Sequence, residues 1–149
     1  MLACLFACLL AFSMSVAVVG CRHADDHSHA PPNTLAAEQL EPTSNTVFGE
    51  KLLLFLEYPH LVRGKSESFL AHVSDLRTGE PIRQGSVTLE IGSLKFMAEG
   101  PRRDGLFVPV GNLPVAGKFT SRLLVQNADT SETLDLGEIV VHESEADAA

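Results

Sequence analysis

The sequence predicts an all-β domain, an immunoglobulin-like antiparallel β-sandwich of about seven strands, behind a flexible N-terminal tether. Three observations carry this. From Thr46 onward apolar and polar residues alternate with period two. Clusters of Gly, Pro, Asn and Asp interrupt that alternation every 8–15 residues or so. No segment holds a convincing helical period. A small closed barrel is the alternative architecture.

The elements follow in order. Val47 to Tyr58 reads as a first strand pair or one long strand, ending at Pro59. Ser66 to Leu76 sets Phe69, Ala71 and Val73 on one face and Ser68, Leu70, His72 and Ser74 on the other. Arg77 to Pro81 has turn composition. Gly85 to Ile91 points Val87, Leu89 and Ile91 inward, and Gly92-Ser93 turns the chain tightly into Leu94–Ala98. Gly100 to Gly105 is a loop, Leu106 to Val110 a short strand, and Gly111 to Gly117 a loop. Lys118 to Gln126 places Phe119, Ser121, Leu123 and Val125 on one side. Asn127 to Thr130 reverses the chain into a last strand, Thr133 to His142. Glu143–Ala149 is an acidic tail expected to fray.

Of the 149 residues, about 100 between Thr46 and His142 remain for one domain with one core. The net charge of −8 disfavours nucleic acid, whose phosphates an acidic surface repels. Without Trp and with one Tyr, the chain lacks a platform for stacking bases or sugars. The three cysteines, Cys4, Cys8 and Cys21, all precede the domain, so its stability must come from sheet packing rather than disulfides.

Residues 1–20 read as a cleaved export signal. They are apolar almost throughout and end in Val18-Val19-Gly20-Cys21. That tetrapeptide resembles the bacterial lipobox, in which a small residue precedes the scissile bond and the Cys thiol accepts diacylglycerol. Two or more acyl chains then anchor a protein stably. No Lys or Arg precedes Arg22, so the usual basic start of a signal is missing. A misassigned start codon or a weak signal would each account for that, and a signal anchor or an ordinary cleaved signal is the alternative reading. Arg22 in place of Asp after Cys21 favours the outer membrane under the common sorting rule, giving a lipid-anchored, periplasm-facing location.

Residues 21–45 hold three prolines and little to bury, so they are expected to form a flexible tether. Within them His23, Asp25, Asp26, His27 and His29 form a compositional metal signal. Imidazoles and carboxylates are ligands for Zn, Cu, Ni or Co. His27 and His29 can meet one ion in an extended chain, with weak affinity and fast exchange. Neutral imidazole ligands imply binding that weakens as pH falls through about 6.5. A solvated hydrophilic spacer is the rival reading.

No catalytic constellation is found, and the chain is not expected to be an enzyme. His60, His72 and His142 stand singly in the sequence. The serines carry no nucleophile-elbow motif. Glu90 alternates outward from Leu89 and Ile91 and reads as part of a solvated face, and Arg102-Arg103 as a solvated loop.

One order of motifs remains. It opens Glu57-Tyr58-Pro59-His60-Leu61-Val62-Arg63-Gly64-Lys65 and continues through Phe69, His72-Val73 and Asp75-Leu76. Pro81-Ile82, Gly85 and Val87 follow, then Gly105-Leu106-Phe107, Gly117-Lys118-Phe119 and Asp135 to Val141. This order is similar to the N-terminal β-sandwich domain of periplasmic adaptor (membrane-fusion) subunits of heavy-metal resistance-nodulation-division (RND) efflux pumps. The resemblance covers about Phe48 to Val141 and the layout of the first 45 residues. It implies a part in transition-metal export, with efflux-pump components as partners, and it raises the weight of the tether histidines without fixing ligands. Such adaptors continue into a barrel, a lipoyl-like domain and a helical hairpin, whereas this sequence ends at Ala149. Alone it is not expected to bridge a pump and a channel.

Overall fold

The computed structural model describes residues 41–149. In chain order the strands are β1 (Thr43–Phe48), β2 (Leu52–Tyr58), β3 (Leu61–Val62), β4 (Ser66–Ser68), β5 (Leu70–Asp75), β6 (Ser86–Ile91), β7 (Leu94–Ala98), β8 (Leu106–Phe107), β9 (Val110–Asn112), β10 (Gly117–Gln126) and β11 (Ser131–His142). A short helix, α1, spans Glu145–Ala148. Two sheets form the sandwich, one ordered β1-β2-β5-β8 and the other β3-β11-β10-β6-β7, while β4 and β9 make a small ribbon. The chain crosses between sheets from β2 to β3, through β4 to β5, from β5 to β6, from β7 to β8 and through β9 to β10, as an immunoglobulin-like sandwich requires.

Period-two alternation builds the core. Leu52, Leu54 and Leu56 of β2, Ala71 and Val73 of β5, and Phe107 of β8 face inward from one sheet. Val87, Leu89 and Ile91 of β6, Leu123 and Val125 of β10, and Ile139 and Val141 of β11 face them from the other. Each fully buried Leu, Val or Phe side chain contributes about 1.5–3 kcal/mol relative to exposure. Phe69, just ahead of β5, packs between Tyr58 and Phe96, with ring centroids 5.6 and 6.2 Å away.

Seven strands have five or more residues, and these correspond to the segments expected from periodicity. Three of the departures from those expectations matter most. β1 begins at Thr43, ahead of the expected domain boundary at Thr46, because its backbone pairs with β2 from Thr43↔Tyr58 onward. Gly111 and Asn112, expected in a loop, pair with β4. The acidic tail is anchored rather than frayed. Ser144 caps α1 by accepting from the Asp147 N–H at 3.3 Å, and Ala148 is buried. Arg63 pairs with Glu143 at 2.8 Å, and Lys65 pairs with Glu145. Among the described residues, no helix is long and apolar enough to cross a membrane.

Candidate functional site

Cys21, His23, Asp25, Asp26, His27 and His29 lie outside the described residues. Among the described residues, no three His, Cys, Asp or Glu side chains gather as a metal cluster. The three domain histidines are placed differently from one another. His72 lies on the outer face of β5 against Phe55, centroids 6.0 Å apart. His60 and His142 come together, with ring centroids 6.1 Å apart and planes 54° to each other.

Their meeting follows from the chain path. Pro59 ends β2, has no N–H for the ladder, and begins the crossing to the second sheet. There β3 pairs parallel with the end of β11, in the register Leu61↔Val141 and Val62↔His142. Leu61 and Val141 are buried, so their neighbours His60 and His142 turn to the opposite face. They line a cleft of about 280 Å³ with Thr43, Tyr58, Glu138 and Val140. The His60 Nε2–H donates to the Glu41 carbonyl at 3.0 Å. A carbonyl can only accept, so in the neutral ring the lone pair is left on Nδ1. Reading the two histidines as isolated was therefore incorrect in space. Only the parallel β3–β11 pairing joins them, and nothing in the local sequence announces it.

A second concavity, about 530 Å³, lies on the outer face of β6, β10 and β11 and is lined by Glu90, Thr120, Arg122, Thr133 and Asp135 among others. Glu90 does point outward, yet its side chain is only 12% exposed. Lys95 Nζ lies 2.7 Å from one carboxylate oxygen and Arg122 Nε pairs with the other. The hydrogen bond from Lys95, then that from Arg122, hold the Glu90 carboxyl below the usual range. Within this groove Glu90 and Arg122 are paired with each other. Arg102 and Arg103 are exposed, as expected, while their neighbour Asp104 pairs with Arg83 at 2.9 Å. On the other sheet, Phe48 and Phe55 stand on the outer face, 69% and 37% exposed.

The chain matches no protein-family model, no curated protein and no solved structure.

Proposed function

We propose that the chain is a non-enzymatic, membrane-anchored lipoprotein facing the periplasm and accessory to transition-metal export. The observation that carries the reading is the Val18-Val19-Gly20-Cys21 motif placed directly before the His/Asp-rich segment. Lipid on Cys21 holds the chain at a membrane. His23, Asp25, Asp26, His27 and His29 capture a Zn, Cu, Ni or Co ion briefly. The β-sandwich serves as the docking body toward efflux-pump components. Replacing His23, His27 and His29 together with Ala tests the capture step. Calorimetric titration with Zn²⁺ should lose most of the heat assigned to the tether, and unchanged binding would remove the tether from the account.

The exposed Phe48 and Phe55 favour a second reading. Here the sandwich is a structural or protein-interaction module of the cell envelope with no role for metal. Pull-down from detergent-solubilised membranes, with and without added metal, separates the two. Metal-dependent partner recovery supports the first reading, and metal-independent recovery supports the second.

A further inference from the structure

We infer that His60 and His142 form a two-imidazole site on the folded domain for a divalent transition-metal ion. This site is separate from the tether histidines and does not depend on them. Three observations carry it. The rings are already neighbours, with centroids 6.1 Å apart. Two imidazoles on one tetrahedral ion, with metal–nitrogen bonds of about 2.1 Å, hold their centroids about 5 Å apart. A small side-chain rotation closes the difference, and both rings are half-exposed at the cleft.

The second observation is the His60 hydrogen bond. Histidines that bind metals characteristically donate their other ring N–H to a carbonyl or carboxylate, which fixes the tautomer and aims the lone pair. His60 already does this through Nε2 toward the Glu41 carbonyl at 3.0 Å. Nδ1 is thereby set as the ligand atom before any ion arrives.

The third is the cleft itself. Its 280 Å³ accommodates an ion with water completing the coordination, and Glu138 adds negative charge at its wall. The backbone around it is firm. Leu61 and Val141, each next to a ligand or one residue from it, are buried in the core. Imidazole ligands suit Cu²⁺, Zn²⁺, Ni²⁺ and Co²⁺, and Cu²⁺ binds a given nitrogen site most tightly of these.

The test uses the full chain in detergent, its cysteines alkylated and His23, His27 and His29 replaced by Ala. Cu²⁺ is titrated and followed by electron paramagnetic resonance. The expected result is one equivalent bound with the hyperfine pattern of two imidazole nitrogens. Adding His60→Ala or His142→Ala should reduce that pattern to one nitrogen. A lost ligand should weaken binding at least as much as a lost outer-shell partner does, roughly tenfold or more. His72→Ala should leave both readouts unchanged, and circular dichroism of each variant checks folding. Absence of a two-nitrogen signal in the parent, or its survival in the His60 and His142 variants, overturns the site. Restoring the tether histidines in the His60/His142 double variant separates the two ideas. Binding recovered there belongs to the tether and leaves this site refuted if the parent showed no two-nitrogen signal.

Discussion

The Ser121 hydroxyl donates to the Gly137 carbonyl at 3.0 Å, a buried side chain of β10 holding the bulge of β11. The register runs Ser121↔Gly137 and then Arg122↔Asp135, so Leu136 is left over. Gly137 takes φ +75°, and its N–H donates to Asp135 Oδ1 at 2.8 Å. The extra residue switches the inward parity of β11 from Leu134 and Leu136 to Ile139 and Val141. Without it the apolar end of β11 would face water. Ser121→Ala should cost about 1 kcal/mol. Gly137→Ala should cost about 1–2 kcal/mol from the left-handed backbone alone, since nothing lies within 4 Å of an added Cβ. Urea denaturation of the two variants checks both values.

Phe69 and Phe48 make a contrasting pair. Phe69 is fully buried, and Phe48 is 69% exposed. Phe69→Ala should destabilise the domain by about 3–5 kcal/mol, through lost transfer energy and the cavity left between Tyr58 and Phe96. Phe48→Ala should stay within about 0.5 kcal/mol. Thermal melts of both proteins decide this. Equal effects would mean that the inward face of the first sheet is misassigned.

Glu132 ties the turn between β1 and β2 to β11. Its carboxylate accepts from the Lys51 N–H at 3.1 Å and also from the Glu50 N–H. Glu132→Ala should loosen that turn by about 1 kcal/mol, speeding exchange of the Glu50 and Lys51 amides roughly fivefold. Hydrogen exchange followed by NMR reads this directly, with amides in β10 serving as the unaffected control.

Acid should weaken the fold through a small set of carboxylates. The Thr78 N–H donates to Asp75 at 2.8 Å, and this bond is the main reason the Asp75 carboxyl sits below its ordinary value. Lys65 holds Glu145 low, and Lys95 with Arg122 hold Glu90 low. A carboxyl whose folded pKa is depressed adds stability above its unfolded pKa, about 4, and loses it as pH falls through the folded value. Melting temperature should therefore be flat near neutral pH and fall below about pH 4. Asp75→Asn should flatten part of that acid limb. An acid limb identical to that of the parent would show that Asp75 contributes nothing to it.

Much of the sandwich was legible because its strands obey period two. Val87, Leu89 and Ile91, and likewise Ser121, Leu123 and Val125, face inward as the alternation implies. What the alternation cannot carry is pairing between distant segments. β3 and β8 have two residues each, too few to show a period, and their positions depend on β11 and β5. The His60–His142 pair exists only through the first of those pairings. Glu90 was legible in direction but not in environment, since Lys95 and Arg122 reach it from neighbouring strands. The tail was misjudged because its acidic composition hides a Ser144 cap and two basic partners, Arg63 and Lys65, from far upstream.

The anchoring of the chain through Cys21 is the claim on which the functional account rests. Metabolic labelling with radioactive palmitate in a Gram-negative host, followed by membrane fractionation, tests it most directly. The account predicts label on the parent chain at the membrane, and an unlabelled Cys21→Ala protein released from it. A parent chain without label, or equal labelling of the Cys21→Ala variant, would contradict it.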